Sequence, residues 1–202
     1  MDDPTAQIDA HAEQKAALRT RLRAARTAHV ESLPAAVRGI AFHMLPSPAL
    51  RKIAHGASVA LYFATGHEAP TANIAVQLDD LGYRLCLPRL DRDTGAMDFA
   101  AWDMDRILVP GPFRTLQPDA AAASVAPDAI IAPLVGFDAA LNRLGQGGGY
   151  YDRAFAAHPG ALRIGLAWSV QKVDQVPVDG HDRPLDMVVT EAAIWEKEEG
   201  AR

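Results

Sequence analysis

The sequence predicts an α/β fold: a single three-layer domain whose mainly parallel sheet is flanked by helices, with the N-terminal helices packed on it. Three observations carry this. Short apolar runs bounded by Gly- and Pro-containing segments alternate with amphipathic stretches of helical period. No internal repeat and no linker divides the 202 residues, a length that suits one core. With 49% hydrophobic and 22% charged residues, the composition is that of a globular chain. The expected domain is 1–202, with 1–8 and 197–202 as disordered tails.

The elements follow in order. Leu18, Leu22 and Ala25 recur at helical spacing, with Asp9 as N-cap of that first helix. Leu33-Pro34 restarts a helical pattern with Val37, Ile40 and Met44 on one side, ended by Pro46 and Pro48. A short helix near 49–54 stops at Gly56, and Ser58 to Phe63 is a buried strand. Pro70 and Thr71 open a helix carrying Ile74, Leu78 and Leu81, capped by Gly82. Tyr83 to Leu87 is a second strand closed by Pro88, and Met97 to Trp102 belongs to a hairpin-like excursion. The Pro- and Ala-rich stretch 110–127 is irregular. Ala129 to Ala132 is a third buried strand, followed by a long glycine-rich loop and a helix from Tyr151 to Ala157. Arg163 to Trp168 and Met187 to Thr190 are the last strands. In open sheets of this kind, ligands sit beyond the carboxyl ends of strands, so 64–70, 88–96, 133–149 and 169–186 are the segments to search.

Charge narrows the function classes. The formal net charge is −5, yet residues 1–53 hold eight Lys or Arg against five Asp or Glu. An acidic total argues against a nucleic-acid coat, and interleaved aromatics are lacking as well. Within the first helix, Lys15, Arg19, Arg23 and Arg26 share one face, which is either a solvated cationic surface or a set of cations for a polyanion. The single cysteine, Cys86, excludes an internal disulfide and reads as a buried strand residue. No apolar run reaches the roughly 18 residues of a membrane span, and no secretory pattern opens the chain. A cytoplasmic protein with no membrane or nucleic-acid partner is expected, and nothing demands more than a monomer. Spacing gives the histidines no His-x-x-x-His pair, so they read as scattered surface or satisfied residues. Trp102 and Trp168 read as core or pocket-wall residues.

The most informative stretch is PLVGFDAALNRLGQGGGYYDR, residues 133–153. Gly145, Gly147, Gly148 and Gly149 let backbone N–H groups converge on an anion, and a helix start lies behind them. Arg143 supplies a forked donor for phosphate and Asp152 a carboxylate for Mg²⁺. The alternative for the glycines alone is a tight strand-to-helix turn. Neither a Walker A loop nor the Rossmann glycine phasing is present.

At these residues the chain resembles the 5-formyltetrahydrofolate cyclo-ligase family. The shared signature is Phe137-Asp138, Arg143-Leu144-Gly145, Gly147 to Gly149 and Tyr150-Tyr151-Asp152. Supporting segments occur in the family's order: Lys15-x-x-x-Arg19, the Tyr62 strand with Glu68 and Thr71, Leu87-Pro88-Arg89 with Met97, and His181-Asp182 with Asp186. The resemblance implies ATP- and Mg²⁺-dependent closure of 5-formyltetrahydrofolate to 5,10-methenyltetrahydrofolate, with ADP and phosphate released. It implies that Lys15, Arg19, Arg143, Leu144, Gly145, Gln146, Gly147, Gly148, Gly149 and Tyr151 bind ATP. It further implies that Asp152 and Asp182 hold Mg²⁺, that Tyr62, Glu68 and Tyr150 meet the folate, and that Arg143 and Tyr150 serve catalysis. Locally, Asp182 reads equally as a turn cap before Pro184, and Glu68 as a solvated loop residue.

Two positions depart from the family. Leu141 stands where glycine is usual, so that turn is expected to differ, because leucine avoids positive φ. Gln146 replaces a residue that is often Tyr or basic, leaving the backbone cradle intact. Rival readings are a sugar-phosphate or coenzyme A ester enzyme of the same architecture, and a folate- or nucleotide-binding module without turnover.

Overall fold

The computed structural model describes residues 4–91, 93–180 and 182–197. Three helices open the chain: α1 (Pro4–Ser32), α2 (Ala35–Ile40) and α3 (Ser47–Leu50). Strand β1 (Ser58–Ala60), helix α4 (Ala72–Asp80) and strand β2 (Arg84–Leu90) form a parallel β-α-β unit, and β3 (Met97–Ala101) returns antiparallel to β2. A small hairpin, β4 (Val109–Pro110) and β5 (Leu116–Gln117), precedes β6 (Ala129–Pro133). A second hairpin, β7 (Gly136–Phe137) and β8 (Arg143–Leu144), leads into α5 (Tyr150–Ala157). Strands β9 (Leu162–Leu166), β10 (Met187–Val189) and β11 (Ile194–Glu196) complete the sheet.

Among the described residues the main sheet has the order β11-β10-β9-β6-β1-β2-β3. The inner pairs are parallel, and β11 and β3 are antiparallel at the edges. Successive strand residues feed two cores. Val59, Leu85, Ile131, Ile164 and Met187 pack with α4 and the N-terminal helices, while Ala60, Cys86, Ile130, Ala132 and Val188 pack with Ala154 and Phe155 of α5. Both faces are therefore covered, which is why the central runs Val59 to Leu61 and Ala129 to Ala132 are apolar at every position and not at alternate ones. The mainly parallel, three-layer expectation stands.

Several local expectations are corrected. Helix α1 begins at Pro4, inside the stretch expected to be a tail, so Asp9 is an interior helical residue and not its N-cap. Residues 1–3 and 198–202 lie outside the described residues. The cationic face of α1 is not simply solvated: Lys15 and Arg26 are buried beside Leu22 and Val30, Arg19 is half-buried, and Arg23 is exposed. In α2 no residue is buried, and Val37, Ile40 and Met44 face solvent. Six residues are too few to hold a packed stripe, and Phe42, at φ 57°, turns the chain so that it and Leu45 enter the core instead.

Pro88 does not end β2. The β1 ladder stops with Ala60 opposite Cys86, so beyond that point β2 has only β3 as a partner, and the missing proline N–H faces no neighbour. The two hairpins and β11 were absent from the expected elements; each lacks the length that makes a hydrophobic period readable.

Candidate active site

A cavity of about 730 Å³ opens where the inner strands end. That volume is ordinary for a small-molecule site. Each of the fifteen site residues expected from the sequence lines it.

The glycine-rich wall is built on the β7–β8 hairpin. Buried Asp138 organises its turn: its carboxylate accepts the Ala140 and Asn142 N–H groups at 3.0 Å each, the Asn142 side chain at 3.0 Å and the Val176 N–H at 2.9 Å. Leu141 sits within this turn at φ 63° and is fully buried. The backbone thus takes the left-handed form that glycine would favour, against the expectation that leucine would alter the turn. Burial against the α5 core and the Asp138 bonds hold it there.

Two residues on, Arg143 turns inward, its side chain only 4% exposed. Nη2 donates to Asp152 Oδ2 at 3.0 Å and Nη1 to the Pro133 carbonyl at 3.3 Å. The guanidinium also lies 5.5 and 5.6 Å from the Tyr151 and Phe155 rings. Its Nε is buried with no hydrogen-bond partner among the described residues. Leu144 is an apolar plug, packed with Leu22, Val135 and Val176, that fixes the hairpin on α1. A Cβ on Gly145 would come within 2.7 Å of Arg143 Nη1, so only glycine leaves the guanidinium its place. Gly149 caps α5 at φ 66°, a conformation that favours glycine. Asp152 lies in the first turn of that helix.

Helix α1 supplies the second wall. Arg19 Nε donates to the Gly145 carbonyl at 2.9 Å. Burial lowers the Arg19 guanidinium from its ordinary value, and neighbouring Arg23 adds to the effect. Lys15 Nζ donates to Asp179 Oδ2 at 2.6 Å and Asp182 Oδ2 at 2.5 Å. Burial alone would lower its pKa, but the bonds and charges of the two aspartates outweigh that and raise it. His181 lies outside the described residues.

The third wall is less polar. Buried Tyr62 donates its hydroxyl to the Ala69 carbonyl at 2.5 Å. Burial, reinforced by Glu68, pushes that hydroxyl well above its ordinary value, so Tyr62 offers a ring and not a proton. Glu68 accepts from the Thr65 N–H and hydroxyl at 2.9 and 3.1 Å and from Gln146 Nε2 at 3.2 Å. Tyr150 faces Phe113 in an edge contact of 5.9 Å, with Arg153 over its ring at 4.9 Å. Met97, Pro88 and Leu116 extend this wall.

Phe113 and Asp179 are among the lining residues not expected to bind a ligand. Phe113, 71% exposed, lies in the irregular 110–127 stretch, where no periodicity marks it. Asp179 is three residues before Asp182, a spacing that a sequence does not distinguish from a loop turn. Arg23 and Arg26 were on the cationic face without individual roles. Arg26 is buried, with Nε and Nη1 lacking partners among the described residues; burial depresses its guanidinium against the pull of Glu68. Trp168 is a core residue whose Nε1 donates to the His67 carbonyl at 3.0 Å. Cys86 is buried, and desolvation pushes its thiol up to about 12, which removes it from nucleophilic chemistry.

The groups present fit a phosphate ligand: a cradle that a Cβ would fill, an orphaned Arg143 Nε and three cations on neighbouring elements. For Mg²⁺ the fit is of another kind. Among the described residues no three metal-binding side chains cluster, but two carboxylates, Asp152 and Asp182, line the same cavity. Mg²⁺ commonly takes one or two carboxylates and fills its shell with phosphate and water oxygens.

Among the described residues no helix is long and apolar enough to cross a membrane. The model of the 5-formyltetrahydrofolate cyclo-ligase family matches residues 11–191. A 5-formyltetrahydrofolate cyclo-ligase of Escherichia coli is 34% identical over 146 residues, covering 69% of this chain and 80% of that one. Its counterpart in Haemophilus influenzae is 31% identical over 135 residues, covering 63% and 72%. Two solved structures share the fold, both described as 5,10-methenyltetrahydrofolate synthetases. That from Mycoplasma pneumoniae has a TM-score of 0.65 at 22% identity, covering 88% of this chain and 98% of its own. That from Aquifex aeolicus has a TM-score of 0.65 at 23% identity, covering 95% of each. The signature seen in the glycine-rich loop thus runs through a match over most of the chain, which belongs to the 5-formyltetrahydrofolate cyclo-ligase family and is a ligase.

Proposed function

We propose that the protein converts 5-formyltetrahydrofolate to 5,10-methenyltetrahydrofolate in an ATP- and Mg²⁺-dependent reaction that phosphorylates the formyl oxygen. One observation supports it above the others. Lys15, Arg19 and Arg143, the 145–149 loop and two carboxylates share a cavity with the apolar surface of Tyr62, Met97, Phe113 and Tyr150. The first set suits a triphosphate, and the second suits a flat heterocycle.

The chemistry requires both. An amide oxygen is a poor leaving group, and N10 of the folate is a weak nucleophile. Phosphorylation of the formyl oxygen makes its carbon electrophilic; N10 then bonds to that carbon and gives up its proton to solvent, the C–O bond breaks, and the oxygen leaves within phosphate. Bound Mg²⁺ would neutralise phosphate charge during transfer. The chain's own task is positioning and charge compensation. Lys15 and Arg143 are held by Asp182 and Asp152, the carboxylates that would carry the metal. Arrival of phosphates together with a cation gives all four groups new partners, so no charge is left uncompensated in the cavity. Arg143 lies in the ring-lined pocket of Tyr151 and Phe155, which fixes its fork toward the loop. Tyr62 and Tyr150 present ring faces to the folate, and Glu68 presents a carboxylate.

One chain supplies every wall of the cavity, which supports a monomer acting as a single domain, and a folate-interconverting enzyme of this kind belongs in the cytoplasm. The test is to mix the protein with 5-formyltetrahydrofolate and Mg·ATP and follow the near-ultraviolet rise of the methenyl product. Product should require ATP and match ADP formed one to one. Product without ATP overturns the mechanism, and bound folate without turnover leaves only a binding module.

A further inference from the structure

Gln146, a departure from the family pattern, joins three elements through its side chain. Its Oε1 accepts from Arg23 of α1, at 3.1 Å from Nε and 2.6 Å from Nη2, and its backbone carbonyl receives Nη2 at 3.4 Å. Its Nε2 donates to Glu68 Oε1 at 3.2 Å, in the loop that follows β1. The other Glu68 oxygen is taken by Thr65. A bridge therefore runs from α1 through the glycine loop to Glu68. Its backbone end belongs to the proposed triphosphate cradle, and its far end is the carboxylate proposed to meet the folate.

We propose that Gln146 is a positioning residue that couples the two halves of the cavity, so that nucleotide bound on the 145–149 loop tightens binding of the folate at Glu68, and the reverse. This rests on the function proposed above. The physical basis is ordering. Arg23, Gln146 and Glu68 are long side chains on a solvent-facing rim, and their bonds compete with water. Freezing one such side chain reduces affinity on the order of two- to tenfold. A nucleotide that fixes the loop backbone also fixes Gln146, and through it the Glu68 rotamer, before the folate arrives. Linkage makes the effect reciprocal. Glutamine suits this role because it accepts from a cation and donates to an anion through one rigid amide. Lysine or arginine, which only donate, cannot serve both partners.

The experiment measures the dissociation constant of 5-formyltetrahydrofolate for the full chain with and without a non-hydrolysable Mg·ATP analogue. In the wild type the analogue should tighten folate binding about fivefold or more. Gln146→Leu removes the side-chain bonds to Arg23 and Glu68 and should bring that ratio close to one, whatever its effect on nucleotide affinity measured alone. Gln146→Glu keeps the acceptor for Arg23 but opposes Glu68 with like charge, and should also abolish the ratio. Gln146 is exposed, so both variants should unfold at the wild-type temperature. A ratio that persists in Gln146→Leu, or is absent from the wild type although both ligands bind, overturns the coupling and leaves the proposed function standing. If the wild type binds neither ligand, the function and the coupling fall together.

Discussion

Leu141 offers the most direct test of how the turn beneath Arg143 is held. The residue combines φ 63° with complete burial in the α5-side core. Truncation to alanine removes a buried isopropyl group and leaves a Cβ in the left-handed region, for a loss of about 3 kcal/mol. Truncation to glycine relieves the backbone by about 1–2 kcal/mol. Against that, glycine removes one more buried methyl, about 0.8 kcal/mol, and adds about 0.4–1 kcal/mol of unfolded-chain entropy. The two variants should therefore match within about 1 kcal/mol, both well below the wild type. At a residue with ordinary φ, glycine would be lower than alanine by more than about 1 kcal/mol. Urea unfolding followed by tryptophan fluorescence, with equal m-values as a check, measures both differences. Glycine about 1.5 kcal/mol or more below alanine would show that the backbone carries no strain. A glycine variant more stable than the wild type would show that burial of Leu141 does not hold the turn.

Gly145→Ala places a methyl 2.7 Å from Arg143 Nη1 and displaces the guanidinium from its bond to Asp152 and its place between two rings; the apparent KM for ATP should rise about tenfold or more, and an unchanged value removes the close approach from the mechanism. Asp152→Asn keeps an acceptor for Arg143 but loses the charge, so turnover should fall about a hundredfold while stability changes by about 1 kcal/mol; near-normal turnover would take Asp152 out of the metal site. Asp186, far from the cavity, receives Arg163 Nε at 3.0 Å and Nη2 at 2.8 Å; burial would raise its carboxyl, but these bonds and the Arg163 N–H outweigh it and hold it below the ordinary range. A carboxyl lowered in the folded state stabilises above its unfolded value, near 4, and that stability is lost as pH falls through the folded value. Asp186→Asn should therefore flatten the acid-side loss of stability below about pH 4, and an unaltered slope there would contradict the assignment.

The buried strands and the site were legible for the same reason: both are dense local signals. Val59 to Leu61 and Ala129 to Ala132 are apolar at every position because helices cover both faces. The glycine loop packs its chemistry into consecutive residues. What escaped depends on distance along the chain. Whether Lys15 faces water or a carboxylate is decided by Asp179 and Asp182, which lie more than 160 positions away. Phe113 reaches Tyr150 from a segment without period, held by Arg89, whose guanidinium bonds Asp98 and the carbonyls of Asp119 and Ala122. Helix α2 misled for the opposite reason. Its apolar spacing is regular, but six residues ending at a left-handed Phe42 leave Val37 and Ile40 outside.

Phosphorylation of the formyl oxygen in this cavity can be followed by isotope transfer. 5-Formyltetrahydrofolate labelled with ¹⁸O in the formyl group is converted with unlabelled Mg·ATP in unlabelled water, and the inorganic phosphate is analysed by mass. One ¹⁸O is expected in each phosphate formed with methenyl product. Unlabelled phosphate, with the label recovered in water, would contradict phosphorylation of that oxygen.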